Sequence, residues 1–325
     1  SNSIYKLETD ESSKDRVSLL NRIKSCGREK NLCELRRIHD DIFHGNNSVF
    51  VKDVYVSTSL IRTFAKCGAL KESRDVFEQL LIRDVVSWTA LISGYAQHGQ
   101  ASHAFEAFHE MQKNGVKPIK MTFLALLKAC DSVRTTVHGR RAHDQIVKHD
   151  LIFDVEIGNT LVHMYSRWGS LKEACGVFNS LIVQTVVSWS ALIDGFVRQE
   201  QPRLALRHFM QMQEEGVEAP DEVTLANAIR ACGGVFALDE GLELHHKVIL
   251  SGFELAVDVA NALVWFHASC DRVKDARKVF DNLKCRDEFS WGAIIMCHAL
   301  HDDNYEVLKL YMRMEEDGVK ADVVT

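Results

Sequence analysis

The chain has 325 residues, of which 46% are hydrophobic and 26% are charged, and this balance excludes a wholly disordered protein. The formal net charge of −6 does not indicate a highly basic nucleic-acid binder, although it leaves room for a local basic groove. No run of about 18 apolar residues is present, so we predict no membrane-spanning helix. The 9 cysteines lack the density of a disulfide scaffold, and we expect reduced, buried thiols.

Proline is rare, and this favours a helical fold. The chain has 3 prolines, whereas average usage near 5% would give about 16. Residues that interrupt helices are therefore few. Segments rich in Val and Thr with regular Asn-Gly turns are absent, which argues against an all-β fold. Residues 1–14 are polar, and we expect a poorly ordered tag remnant there.

Self-similar segments begin at residue 15 and continue through the rest of the chain. Trp88, Trp189 and Trp291 recur at offsets of 101 and 102, and each large period divides into three repeats of about 35, 35 and 31 residues. The predicted repeats are 15–52, 53–83, 84–118, 119–153, 154–184, 185–220, 221–255, 256–286 and 287–321, followed by 322–325 as the start of a truncated one.

Each repeat has the apolar spacing of two helices. In 84–118, Trp88, Leu91, Ile92 and Tyr95 share one face of a first helix that Gly99 ends, and a second helix follows. One such helix pair cannot bury its apolar face alone, so neighbouring pairs must stack. We therefore predict an all-α protein, an α-solenoid forming a right-handed superhelix of about nine helix-turn-helix repeats with a concave inner surface.

The alternating repeat lengths and their motifs resemble the pentatricopeptide repeat family, specifically its plant-type PLS class. Residues 84–118 are similar to a P repeat, with the sequence DVVSWTALISGYAQHGQASHAFEAFHEMQKNGVKP. Residues 122–151 resemble an L repeat and 154–181 an S repeat. The resemblance covers 15–325 as a fragment of a repeat tract, in the order L, S, P three times followed by the start of a truncated L.

This resemblance implies single-stranded RNA binding with one base per repeat, the N-terminal repeats lying toward the 5′ end. The residues of the first helix of 84–118 are compatible with it, because Val86, Thr89 and Ser93 form a stripe of small side chains. An apolar side chain on that stripe can clamp a base face, and a hydroxyl can reach a base edge. The expected base-clamping residues are Tyr55, Val86, Val187 and Phe289.

The family's specificity pair is one residue of that stripe with the residue at the junction before the next repeat. The carried-over pairs are Thr58 with Asp84, Thr89 with Ile119, Asn159 with Thr185, Ser190 with Asp221, Asn261 with Asp287, and Gly292 with Asp322. The Thr58 and Ser190 pairs imply guanine, the Asn261 pair uracil, and the Asn159 pair a pyrimidine. Thr89 indicates a purine only by analogy, because Ile119 cannot hydrogen-bond a base, and the Gly292 pair has no readable preference.

Two further groups of residues share fixed repeat positions. Lys66, Arg167 and Arg198 each lie eight residues after a specificity position, and either phosphate contacts or ordinary solvated charges would explain them. The L repeats carry Leu20, Leu124 and Ala226 at the specificity position, with no polar edge. These repeats either space the array or bind protein cofactors.

No catalytic constellation is recognisable, and we predict a protein that is not an enzyme. None of the 15 histidines is followed by x-Glu, and no C-x-x-C exists, so the zinc signature of the cytidine deaminases that often end this family is absent from the chain. The recurrent Cys and His lie at repeat-fixed positions over 100 residues apart, which favours packing over metal binding. We predict no metal, cofactor or small-molecule substrate.

Two functions follow from these observations. The first is a sequence-selective RNA-binding module of an organellar factor for C-to-U RNA editing or RNA processing, located in a mitochondrion or chloroplast. The alternative is a protein-interaction scaffold that docks editing or processing partners, for which the net charge and the apolar L repeats are the motivation.

Overall fold

The computed structural model describes residues 2–45, 48–133, 136–216 and 219–320. Within these ranges the chain forms eighteen α-helices and one short 3-10 helix with no strand, which confirms the predicted all-α fold. Its contacts divide it into an N-terminal half, Ser1–Leu151, and a C-terminal half, Ile152–Thr325. None of the described helices is long and apolar enough to cross a membrane.

The helices alternate between the first and the second helix of each predicted repeat. The N-terminal half contains α1 (Asn2–Glu29), α2 (Leu32–His44), the 3-10 helix (Ser48–Lys52), α3 (Val54–Lys66), α4 (Leu70–Glu78), α5 (Val85–Gln97), α6 (Ala101–Lys113), α7 (Lys120–Val133) and α8 (Thr136–Lys148). The C-terminal half contains α9 (Val155–Arg167), α10 (Leu171–Ser180), α11 (Val186–Arg198), α12 (Pro202–Glu214), α13 (Glu222–Val235), α14 (Leu238–Ser251), α15 (Val257–Ser269), α16 (Val273–Asn282), α17 (Glu288–Ala299) and α18 (Asn304–Glu316). Helix α1 includes residues 2–14, where the composition suggested poor order. Residues 322–325 lie outside the described residues.

Most of the first helices begin at a side chain that caps them. Asp84, Asp221 and Asp287 each accept a hydrogen bond from the backbone N–H three residues later. Thr185 caps α11 in the same way, and the side chain of Ser188 returns a bond to complete a capping box. A cap of this kind contributes about 1 kcal/mol to helix stability. The residue at the junction between two repeats therefore also fixes where the next helix starts.

Each half is built from two layers of helices. The odd-numbered first helices contact one another in series, α1 to α7 in one half and α9 to α17 in the other. Each even-numbered helix packs against the first helix of its own repeat and, where one follows in the same half, against the first helix of the next. This arrangement leaves one side of the first-helix layer uncovered, and we call it the first-helix face.

The core between repeats is the same aromatic pair three times. Phe77 meets Trp88, Phe178 meets Trp189, and Phe280 meets Trp291, with ring centroids 4.4, 4.6 and 4.8 Å apart in edge-to-face geometry. All three indoles are fully buried. An edge-to-face pair stabilises packing beyond the apolar area it buries. The recurring Trp and Phe of the sequence therefore join α4 to α5, α10 to α11 and α16 to α17.

Candidate nucleic-acid interface

The third residue of most predicted repeats is a large apolar side chain exposed on the first-helix face. The predicted clamps Tyr55, Val86, Val187 and Phe289 are between 40% and 73% exposed. Val17, Met121 and Val223 occupy the same position and are also exposed. Exposed apolar side chains in one recurring position mark a binding surface more strongly than scattered ones. Glu156 and Asp258 depart from the pattern.

The sixth residue of each predicted repeat lies recessed between these exposed side chains. Thr58, Thr89, Ser190 and Asn261 are all buried, and Asn159 is half-buried. Three of their polar atoms have no hydrogen-bond partner among the described residues: Thr58 Oγ1, Asn159 Oδ1 and Asn261 Oδ1. Buried polar atoms are nearly always paired, so each of these requires an explanation. All three occupy the same repeat position on the first-helix face.

Hydrogen bonds join two of the predicted specificity pairs directly. Asn159 Nδ2 donates to Thr185 Oγ1 over 3.0 Å, and Asn261 Nδ2 donates to Asp287 Oδ1 over 3.2 Å. Burial acts to raise the pKa of Asp287, but hydrogen bonds from Ser290 and Asn261 outweigh it and hold that pKa below its ordinary value. The carboxylate is therefore ionised, and it fixes the Asn261 amide with Oδ1 as the open acceptor.

The Thr89 pair differs from its prediction in one respect. Thr89 Oγ1 lies 2.8 Å from Thr122 Oγ1, and Thr122 in turn meets the backbone N–H of Ile119 at 3.3 Å. The partner of Thr89 is thus a hydroxyl on α7 that the sequence did not single out, while Ile119 is 42% exposed. Asp322, the predicted partner of Gly292, lies outside the described residues.

The predicted phosphate contacts have different surroundings. Lys66 is exposed at the end of α3 and has no ion pair among the described residues. Arg198 is exposed, but its Nε is 2.6 Å from Asp194 Oδ2, so its charge is largely neutralised. Arg167 is half-buried at the end of α9. Of these three, Lys66 has the charge most available to a phosphate.

Sequence reasoning missed several residues on the first-helix face. The tenth residues of three predicted repeats, Lys24, Arg62 and Lys128, are exposed cations with no ion pair among the described residues. Arg230 and Trp265 occupy the tenth position in the other half. Carrying the register of Val86, Thr89 and Ser93 into every repeat would have found all five. No group of three or more His, Cys, Asp or Glu side chains in the described part of the chain is placed to hold a metal ion.

Comparison with known protein families finds the same repeat along the chain. The PPR repeat family matches residues 83–131, and the PPR repeat matches 55–85, 159–184, 187–217 and 289–319. A mitochondrial pentatricopeptide repeat-containing protein of Arabidopsis thaliana is 33% identical over 93% of this chain and 47% of its own length. A chloroplastic one is 32% identical over 93% of this chain and 37% of its own length. The chain thus spans less than half of either relative.

Solved structures show the same fold. The crystal structure of the pentatricopeptide repeat protein PPR10 in complex with an 18-nt psaJ RNA element superposes with a TM-score of 0.71 at 16% identity. That match covers 90% of this chain and 43% of PPR10. Another crystal structure, that of PPR10 from maize, superposes with a TM-score of 0.59 over 98% of this chain. At this identity the likeness establishes the helical-repeat fold alone.

Proposed function

The chain belongs to the pentatricopeptide repeat family, and on that premise we propose that it binds single-stranded RNA sequence-selectively through the first-helix face, one base per readable repeat. The solved relative PPR10 carries an RNA element on the same fold. Repeats of this family read bases with two or three side chains each. The order of repeat lengths further supports assignment to the PLS class.

One observation carries this proposal. Exposed apolar side chains recur at the third position of most repeats, and recessed polar atoms without a partner among the described residues occur at the sixth position, on Thr58, Asn159 and Asn261. A nucleobase needs both an apolar surface for its faces and a hydrogen-bonding group for its edge. A helix face that is only solvated more usually carries Lys and Glu at such positions.

The family pairs then give a partial target. Thr58 with Asp84 and Ser190 with Asp221 select guanine. Asn261 with Asp287 selects uracil, since the open Oδ1 of Asn261 can accept the imino N–H of that base. Asn159 with Thr185 selects a pyrimidine.

The test is selection from a randomised single-stranded RNA pool, with binding followed by fluorescence anisotropy at two salt concentrations. We expect enrichment of guanine at the Thr58 and Ser190 registers and of uracil at the Asn261 register. Asn261→Ala should remove the uracil enrichment and leave the guanines. Bound RNA without any enrichment would contradict sequence selectivity, and absence of binding at low salt would contradict RNA binding.

The relatives support an organellar location. Similar proteins are mitochondrial or chloroplastic, and we propose the same location for this chain. A role in RNA editing or processing rests on the resemblance to the PLS class. Expression of the full-length protein as a fluorescent fusion in plant cells tests the location. A cytosolic signal would overturn the organellar assignment.

The alternative, a scaffold for protein partners, is favoured by the predicted L repeats. Their third and sixth positions are both apolar: Val17 and Leu20, Met121 and Leu124, Val223 and Ala226. A partner protein that binds Asn261→Ala and Ser190→Ala as well as the wild type, and that loses affinity on Met121→Asp, would support this function.

A further inference from the structure

The C-terminal half holds a cavity on the first-helix face that the family pairs do not explain. The cavity is bounded by α13, α15 and α17 and has a volume of about 430 Å³. Small-ligand pockets have volumes of roughly 300–1,000 Å³. Trp265 and Phe289 form its aromatic walls, and Arg230 lies on its rim. Gly292 lines it without a side chain to fill it, which gives the unreadable sixth position of 287–321 a physical role.

The indole of Trp265 is held in place by the neighbouring helix. A Cβ added to Gly233 would lie 2.3 Å from Trp265 Cζ3, so the ring rests directly on the backbone of α13. Gly234 is 3.8 Å from the same ring by the same measure. Trp265 nevertheless remains 37% exposed. A rigid, partly exposed aromatic ring loses little conformational entropy when a planar ligand stacks on it.

The predicted repeat 256–286, which contains Asn261, lacks the usual base-clamping side chain. The third residue of 256–286 is Asp258, a carboxylate where most repeats have an apolar side chain. A base seated at Asn261 therefore has Phe289 on one side and no apolar partner on the other. Trp265 lies one helical turn beyond Asn261 on the same face of α15. It supplies the missing aromatic surface.

From these contacts we infer that Trp265 is a base-stacking residue, and that a nucleobase of the bound RNA occupies the cavity against its indole. The unpartnered Oδ1 of Asn261, a side chain 8% exposed, lines the same cavity and offers an acceptor to the base edge. Arg230 hydrogen-bonds Asn227 over 3.0 Å and keeps a cation beside the path of the phosphates. Asp258 and Glu288 also line the cavity and add acceptors for base amino groups.

This inference rests on the proposed RNA binding, and one titration separates the two. Labelled single-stranded RNA of the selected sequence is titrated while anisotropy reports binding and tryptophan emission reports stacking. Of the other four tryptophans, Trp88, Trp189 and Trp291 are fully buried and Trp168 is half-buried. The difference between wild type and Trp265→Phe isolates the emission of Trp265 from all four. We expect RNA to quench that emission and to protect it from acrylamide.

The matching affinity test uses Trp265→Leu, with Tyr305→Leu on α18 as the control, since Tyr305 is an exposed aromatic on a second helix. Trp265→Leu should weaken RNA binding roughly 5- to 150-fold, Trp265→Phe should retain most of the affinity, and Tyr305→Leu should change nothing. The stacking role is overturned if the RNA binds by anisotropy but does not change the emission of Trp265, and if Trp265→Leu binds the RNA as tightly as the wild type. That outcome leaves the proposed function intact. RNA that does not bind the wild type at all overturns both.

Discussion

The two halves of the chain share one core and differ on the first-helix face. At the tenth repeat position the N-terminal half has the exposed cations Lys24, Arg62 and Lys128. The tenth residues of the five repeats in the C-terminal half are His163, Asp194, Arg230, Trp265 and Met296. Both halves bury the same Phe–Trp pair between repeats. The shared core fixes the repeat, while the exposed positions vary; under the proposed function we expect the cations to contact phosphates and the aromatic side chain to contact a base.

The hydrogen bonds of the sixth positions also differ between the halves. In the C-terminal half, Asn159 and Asn261 are each oriented by a junction side chain, and each Oδ1 has no partner among the described residues. In the N-terminal half, the Thr89 hydroxyl is hydrogen-bonded to Thr122, whereas Thr58 Oγ1 has no partner among the described residues. We therefore expect base discrimination from Asn159 and Asn261 and from Thr58 but not from Thr89, and salt-dependent affinity mostly from the N-terminal half.

The largest effect should come from the shared core, where the halves are expected to respond alike. Phe77→Ala and Phe280→Ala each remove one ring from a buried aromatic pair. Each should lower the free energy of unfolding by about 3–5 kcal/mol, because the cavity cannot collapse around a fixed indole. Urea unfolding followed by circular dichroism measures this. A loss below about 1 kcal/mol in either variant would show that the two cores are not equivalent.

The second-largest expected effect is a loss of base discrimination, which should differ between Asn261 in the C-terminal half and Thr89 in the N-terminal half. Asn261→Ala removes an oriented amide, and discrimination for uracil at that register should fall by about 1–3 kcal/mol, the contribution of a good side-chain–base pair. Thr89→Val keeps the shape of its side chain and removes a hydroxyl already bonded to Thr122, so it should leave base preference unchanged. Competition binding with single-base variants of the RNA provides the measurement. Equal losses in both variants would contradict the division.

The salt dependence of RNA affinity should come mostly from the N-terminal half. Replacing Lys24, Arg62 and Lys128 together with Gln should reduce the slope of log affinity against log salt by ~2, at about 0.7 per phosphate contact. The affinity loss should be uniform across RNA sequences. The matched control replaces Lys71, Lys113 and Arg141, exposed cations of second helices. If the control lowers the slope as much, the phosphates do not follow the first-helix face.

The smallest expected effect is the pH dependence that a buried histidine pair adds to the stability of the C-terminal half. His267 is 1% exposed and its Nε2 lies 3.1 Å from His245 Nδ1. Burial, reinforced by His245 and Arg272 against the opposing Asp275, lowers the pKa of His267 from 6.5 to about 4. In the N-terminal half the corresponding residues are His39 and Phe64, whose ring centroids are 5.9 Å apart.

The sign follows from which state binds the proton. Below pH 6.5 the unfolded His267 is protonated while the folded one stays neutral, so stability falls as the pH drops from 6.5 toward 4. The loss should be about 1 kcal/mol at pH 5.5. His267→Phe copies the N-terminal half and should abolish this part of the pH dependence in unfolding curves at pH 5.5 and 7.5. An unchanged difference between the two pH values would assign the effect to other groups.

The sequence by itself determined the helical class, the period of the repeats and the face that carries Tyr55, Val86, Val187 and Phe289. These features depend on spacing along the chain, because apolar side chains at helical intervals dictate which side of each helix is buried. The recurring Trp located three of the first helices, and the repeat lengths counted from the junctions located the others. The same register would have predicted Lys24 and Trp265, had it been extended to every repeat.

Only the tertiary structure decided which partners these residues meet. The resemblance already paired Asn261 with Asp287, but the hydrogen bond of Thr89 to Thr122 appears only in the structure, as does the unpaired Oδ1 of Asn261. A hydroxyl or amide is paired or left open according to the separation of the two helices that pack together. Close contacts with the backbone, such as that of the Trp265 ring with Gly233, act on this separation. The separation of the helices depends on packing between repeats, so it cannot be read from the residue spacing within one repeat.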